Sequence, residues 1–450
     1  MTKIIKWVLF ALVLGTLFGG EAKASTLTAA SCNVSDVLSA INSAKDGDTV
    51  IIPNGSCSWS SGISTAKQIT LQGATVGGVT ITDTDTNAAD SLLSFTIGNS
   101  FHTTIANLRF LPGTGKGSYV SMNGTGLAPL MHDVYFNLPN FQLQHAVSWA
   151  VAGGVIWNTT FESTDNIGGA CGTQVGSDSG SIVIKSSLSW DAPSTMGTLD
   201  TNGDKNLYIE DSTFSYVGQV PDVDDNGRVV VRHSTISNTS GGLTHGTTSA
   251  TGGRQMEYYN NVFSYTNTNR NANRYFWGRA GTALFTQNNI QAISGPCYGT
   301  KASFTFTVEN ASRSSAHGCA TGYMGYHQSG AGAGATPNAL SLVSAGQTPL
   351  DLFQTSDPVY IWNNTGTGQG SLSLNEGDPR GCFSINPATG TYYMTSDFFK
   401  PNRDYFVDTS SNPNNGEKPG WAPYTYPHPL RNGSSASAPA PPSGLAITVQ

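Results

Sequence analysis

One six-residue pattern returns eight times between Ile105 and Ile290: an apolar residue, any residue, a polar residue, two more, then another apolar residue. The copies are Ile105–Phe110, Met131–Phe136, Ile156–Phe161, Val183–Leu188, Ile209–Phe214, Val231–Ile236, Tyr258–Phe263 and Phe285–Ile290. Successive starts are 26, 25, 27, 26, 22, 27 and 27 residues apart. A period of this size marks a solenoid, in which each unit buries its apolar side only against its neighbours. The units read as strands: short runs of β-branched and aromatic residues, broken by Asn, Gly and Ser. No long 3.6-residue apolar pattern competes. The repeat therefore predicts an all-β parallel β-helix, a single-stranded solenoid.

The third residue of each copy is Asn107, Asp133, Asn158, Lys185, Asp211, His233, Asn260 or Gln287. Polar residues there fit a tight bend between two strands, because Asn and Asp tolerate left-handed backbone. Stacked once per coil, they would form a ladder. His233 is then a turn residue, and Arg232 decorates an outer face.

Composition agrees. Charged residues are 11% of the chain, Gly totals 52, and the formal net charge is −7. Such a balance leaves no basic footprint for nucleic acid. At the N-terminus, Lys3 and Lys6 precede an apolar run, Trp7–Phe18, and Ala22-Lys23-Ala24 supplies a small-x-small site. This reads as a secretory signal peptide over residues 1–24, cleaved near Ala24. The run is too short for a membrane span of ~20 residues. An extracellular location permits disulfides among the six cysteines, with Cys32–Cys57 and Cys297–Cys319 the pairs suggested by proximity.

After the signal, Asn33 or Ser35 caps a short amphipathic helix carrying Val37, Leu38 and Ile41. Asp46-Gly-Asp48 turns into the strand Thr49–Ile52, closed by Pro53-Asn54-Gly55. This opening resembles the start of right-handed parallel β-helix proteins of the pectate-lyase-like superfamily, in which a helix plugs the N-terminal end of the solenoid. The resemblance spans roughly residues 30–300 and implies a right-handed coil with an N-terminal capping helix. The expected organisation is a signal peptide (1–24), the β-helix (25–310), C-terminal coils or a covering flap of the same body (311–430), and a Pro/Ser-rich tail (431–450).

Chemistry-bearing residues gather just before the repeats, in the segment that must form the other long strand of each coil. These segments are Gly197–Asp200, Asp222–Asp225, Leu243–Gly246 and Tyr275–Arg279. Equivalent residues of adjacent coils stand ~4.8 Å apart. Asp200, then Asp224 and Asp225, then His245, then Arg279 would thus form one stripe, with Tyr275 and Trp277 beside it as flat faces for sugar rings. Excursions at 189–196, 215–220, 237–242 and 264–273 would wall a cleft on that side.

Three explanations of the stripe compete. In the first, Asp200 and Asp222 hold Ca²⁺, the ion bridges to a uronate carboxylate, and Arg254 or Arg279 removes the acidified proton. That is β-elimination, an activity the superfamily resemblance implies. In the second, the carboxylates are acid and base for glycoside hydrolysis, which suits a separation of about 6.5–9.5 Å. The order Asp200, Asp224-Asp225, His245-Gly246, Arg254 is similar to the Asp, Asp-Asp, Gly-His-Gly, Arg-x-Lys order of polygalacturonases, with Thr244 and Met256 replacing that family's first Gly and final Lys. In the third, Asp222–Gly227 is only a turn, Arg254 only opens its coil, and Arg279 only stacks on Trp277.

No Gly-x-Ser-x-Gly elbow, His-Glu-x-x-His, phosphate loop or Cys-x-x-Cys pair occurs. The sequence thus describes a secreted, monomeric β-helix acting on polysaccharide. Lyase chemistry on uronate-containing glycan leads, with glycoside hydrolysis and a non-catalytic glycan-binding or adhesin-like role as alternatives.

Overall fold

The computed structural model describes residues 24–87, 91–115, 117–138, 145–163, 180–184, 205–218, 220–224, 227–239, 242–244, 253–265, 274–279, 281–292, 303–306, 357–366, 371–374, 396, 399–409 and 411–432. Among them run three sheets of twelve, nine and ten strands, which we call A, B and C. Every strand pairing within them is parallel, and neighbours in each sheet are equivalent strands of successive coils. The chain visits A, then B, then C, and climbs one rung. This is a parallel β-helix, the architecture that the repeat predicts and the opening segment's resemblance implies.

The corner between sheets A and B carries the repeat's logic. Asn107, Asp133, Asn158, Asp211, His233, Asn260 and Gln287 all have φ between 47° and 61°. These are the third residues of seven copies, so the bend reading holds at each. Asn363, with φ 51°, repeats the device in a later coil. The hydrogen-bonded ladder, however, is built by the next residue along. The Thr159 N–H donates to Ser212 Oγ (3.3 Å), Ser212 N–H to Ser234 Oγ (3.1 Å) and Ser234 N–H to Asn261 Oδ1 (3.0 Å). Asn261 N–H then donates to Asn288 Oδ1 and Asn288 N–H to Asn364 Oδ1, both 3.1 Å. Each rung thus satisfies a backbone donor that the turn would otherwise leave buried without a partner.

The fourth copy of the pattern is not a repeat unit. The strand Gly180–Ile184 belongs to sheet C, where Val183 is in register with Ser148 and Asp222. In sheet A, Val155–Trp157 pairs directly with Leu207–Glu210. The spacing admitted a strand from the wrong sheet. Its Lys185, at the position where the other copies place Asn, Asp, His or Gln, is a poor fit to left-handed backbone; it lies outside the described residues.

The sixth residues of the copies fill the interior. Phe110, Phe136, Phe161 and Phe214 stack coil on coil with ring centroids 5.3, 5.0 and 5.0 Å apart and interplanar angles of 16° or less. At the N-terminal end the helix Val34–Ser43 buries Val37 and Ile41 against the first coil. Asn33 occupies its N-cap position without a side-chain cap bond. The Cys32–Cys57 disulfide, with Cα atoms 5.8 Å apart, ties this segment to the first B strand. The remaining four cysteines lie outside the described residues. No helix among those residues is long and apolar enough to cross a membrane.

Over the strands that carry Val155, Tyr208, Val230 and Tyr259, the outer face of sheet A is covered by the chain's own C-terminal strap, residues 421–432. Trp421, Tyr424 and Leu430 pack on Val155, Tyr208, Val230 and Tyr259. Arg232 therefore does face outward, yet it is fully buried. Left-handed backbone at the A–B corner makes one prediction. Asn158→Gly is expected to be near neutral, while Asn158→Val should lose about 1–2 kcal/mol, read as a lower midpoint in denaturant unfolding.

Candidate functional site

With sheet A covered, sheet C is the wall to inspect. Along its strands the apolar residues point inward, as Val120 and Met122 do, and the alternate residues point out. One row in register contains Ser64, Ser94, Ser121 and Ser148, then position 183, Asp222, position 243, Trp277, Thr305 and Ser373. Four serines of the early coils thus lead to an aspartate and, two strands further, to a tryptophan. Two strand spacings put Asp222 and Trp277 roughly 10 Å apart along the helix axis.

Asp222 opens the short strand Asp222–Val223 and is 1% exposed. Its Oδ2 lies 3.2 Å from Nε2 of His145, which starts the strand His145–Ala150 two rungs below. The imidazole is 15% exposed. A buried carboxylate that fixes one ring nitrogen sets the ring's orientation and leaves proton exchange to the other nitrogen, which is how acid–base histidines are positioned. Sequence reasoning missed His145 because its partner is 77 residues away. No periodic signal marks it.

Trp277 and Arg279 form the second feature of the wall. The Arg279 guanidinium carbon sits 4.9 Å from the Trp277 ring centroid, as the stacking reading expects, and the tryptophan keeps part of its surface in solvent. Val223 pairs with Thr244 and Leu243 with Trp277. Two residues beyond Asp222 and Trp277, Asp224 and Arg279 hold equivalent places at the corner toward sheet A, two strands apart. Asp224 is 9% exposed, and its carbonyl accepts from Gly227 N–H at 2.7 Å. The turn reading of this segment therefore describes its backbone. Gly227 has no room for a side chain, since a Cβ there would meet Ile184 O at 2.5 Å.

Three expectations need correction. Tyr275 is not a flat face for sugar: it is 1% exposed and packs edge-on to Phe263 and beside Phe304 in the interior. Burial pushes its hydroxyl up to about 12. The reason is a register shift between Arg274 and Phe276, a bulge that inserts one residue, so that Tyr275 and Phe276 both turn inward and only Trp277 faces out. Strict alternation from Trp277 would have placed Tyr275 beside it. Second, Arg254 is fully buried, and its Nη1 donates to Asp357 Oδ2 at 2.8 Å on the sheet A side. It is a structural cation there, not a base on the sheet C wall. Third, the place in sheet C expected for Gly197–Asp200 is held by Gly180–Ile184, the strand that pairs with Asp222–Val223. Asp200, Asp225 and His245 lie outside the described residues.

Calcium takes six to eight oxygen ligands. On this wall the described residues offer it the carboxylates of Asp222 and Asp224, and one Asp222 oxygen already faces an imidazole. No group of three or more His, Cys, Asp or Glu gathers among the described residues. They do not fit a calcium cage by themselves.

No family model matches the chain, and no curated protein matches its sequence. Solved structures do resemble it. An alginate lyase from Paenibacillus sp. strain FPU-7 aligns at 15% identity and a TM-score of 0.34, over 60% of this chain and 97% of that one. The PL6 family alginate lyase AlyGC aligns at 15% identity and a TM-score of 0.37, over 90% of this chain, which spans only 60% of that enzyme's length. The A-module of a mannuronan C-5 epimerase from Azotobacter vinelandii aligns at 12% identity and a TM-score of 0.26, over 60% and 98%.

The Arg254–Asp357 pair yields a test. Arg254→Met strands a mostly buried carboxylate and is expected to cost about 3–5 kcal/mol of stability, seen as a lowered thermal midpoint. A proton-abstracting Arg254 would instead leave the midpoint in place.

Proposed function

We propose that the chain is a secreted polysaccharide lyase that cleaves uronate-containing glycan by β-elimination along the outer wall of sheet C. The observation that carries this reading is the His145–Asp222 pair, whose aspartate shares an outward row of sheet C with Trp277 of the Trp277–Arg279 pair. Elimination needs a base for the proton α to the uronate carboxylate, a cation to offset that carboxylate's charge, and a surface that holds the ring. His145 takes the proton, and Asp222 holds the ring and stabilises its charge. The electrons of the broken C–H bond form the C=C bond as the glycosidic C–O bond breaks, and the leaving oxygen takes a proton. Trp277 packs against the ring of a neighbouring sugar, and Arg279, buried behind it, lends positive charge to that part of the wall. A negatively charged protein needs such a local cation to hold an acidic polymer.

Asp200, Asp225 and His245 remain assigned to this cleft as further acid–base and ligand candidates. Calcium would supply additional neutralisation of the uronate carboxylate, with Asp222 and Asp200 as its proposed ligands. The signal segment supports export, and the Cys32–Cys57 disulfide suits an oxidising compartment. We take the working unit to be a monomer. Hydrolysis is the second reading, with Asp222 and Asp224 as its carboxylate pair.

The deciding experiment incubates the mature protein with uronate polymers, beginning with alginate, the polymer named for two of the structural neighbours. Ultraviolet absorbance of an unsaturated product is expected. New reducing ends without it would establish hydrolysis, and binding without either would establish a lectin-like role. His145→Ala should lower kcat by about 10²–10⁴-fold, and Trp277→Ala should raise KM about tenfold, a loss of ~1.4 kcal/mol. Tyr275→Phe should change neither constant. Activity lost to chelator and restored by calcium would support the metal; activity indifferent to chelator would remove it from the mechanism.

A further inference from the structure

The strap over sheet A is joined to the solenoid differently from every coil. Among the described residues, 421–432 pair with no strand, and their backbone–backbone hydrogen bonds are local, from Trp421 N–H to Lys418 O just before the strap and from Arg431 N–H to His428 O within it. What holds the strap is a knot of side chains around one buried carboxylate. Glu210 is fully buried and accepts from Arg232 Nε (2.8 Å), from Arg431 Nη1 (2.9 Å) and from the backbone N–H of His428 (3.2 Å). Arg232 in turn donates to the carbonyls of Tyr424 and Thr425, both at 2.7 Å. Asp211 accepts from Tyr426 Oη at 2.6 Å and pairs with Arg431. An element that shares no backbone–backbone hydrogen bond with the sheet it covers is suited to open as a separate unit.

One group in this knot is poised to undo it. His428 is 4% exposed, its ring 4.7 Å from that of Tyr208 and 5.2 Å from that of Tyr424. Its Nδ1 accepts the N–H of Leu430 at 3.2 Å, so the docked ring is neutral with its proton on Nε2. The charged groups that face it are Glu210 and Arg232 from sheet A and Arg431 from the strap. Asp211 balances Arg431 at the adjoining corner, where His233 stacks on Tyr426 at 3.7 Å. Two arginines and two carboxylates already cancel. A proton from solvent on Nδ1 removes the acceptor of Leu430 N–H and adds an unbalanced buried positive charge.

We propose that the strap is an acid-opened latch: protonation of His428 releases residues 421–432 from sheet A and bares Tyr208, Glu210, Arg232 and Tyr259. Burial holds the docked imidazole well below its ordinary value of 6.5, at about 4. The free strap therefore binds the proton more tightly, and docking weakens as pH falls through 6.5 toward 4. The docking constant should drop roughly tenfold by pH 5.5 and by somewhat under a hundredfold at pH 4.5.

Hydrogen exchange on the full chain, read by mass spectrometry and corrected for the intrinsic pH dependence of exchange, measures this. Peptides covering 421–432 should lose protection by those factors between pH 7.5 and 4.5, while peptides over the strand Arg228–Arg232 keep theirs. His428→Gln, which cannot titrate, should flatten the strap's profile. Protection that is constant with pH, or that falls with the same midpoint in His428→Gln, would overturn the latch. Should the glutamine variant fail to dock at pH 7.5, the histidine signals of the wild-type chain decide: the resonance lost in the variant must titrate well below 6.5. A midpoint at or above 6.5 would also overturn the proposal.

Discussion

The handover of hydrogen bonds at the A–B corner is the constraint on which the rest of the structure depends. One residue per coil adopts left-handed backbone, and the next residue's side chain accepts the N–H of the coil below. Each coil is thereby fixed in register on its neighbour, to within a single residue. A one-residue slip would send the stacked phenylalanines outward and the polar row inward. Register at this corner also fixes it on sheet C, where Asp222 and Trp277 come into one row although they are 55 residues apart.

The fold was legible in the sequence because its determinants are periodic. Left-handed positions, interior phenylalanines and capping helix each leave a local or repeating trace. Asn288 and Asn261 also leave one, but the repeat places Leu108 and Val134 at the same position in early coils, so a ladder there is hidden until side chains are seen. The fourth copy failed for the opposite reason, since spacing alone cannot tell a strand of sheet C from one of sheet A.

The site was legible only in outline. That the segments at 222, 243 and 275 form one wall follows from their place before each repeat, and they do pair in sheet C. Which side chains face out did not follow. A single bulge moved Tyr275 into the core, and an ion pair with Asp357, 103 residues on, took Arg254 to another face. His145 reaches Asp222 across two rungs, a diagonal contact that no pattern of periods announces. Local inserts and long-range pairs are not written in any window of sequence.

The outer faces of sheets A and C have been given opposite fates. Sheet A is sealed by aromatic and ionic contacts with the chain's own strap, and sheet C carries a part-exposed tryptophan and an oriented imidazole. The account's central claim is that glycan lies on the second face. Hydroxyl-radical footprinting with and without a saturating uronate oligosaccharide tests it directly, since each face carries its own reporters. Trp277 and His145 on sheet C should become protected, while Trp157 and His132, stacked at 4.3 Å on sheet A, should react as before. Protection of Trp157 and His132 with Trp277 and His145 unchanged would contradict the account.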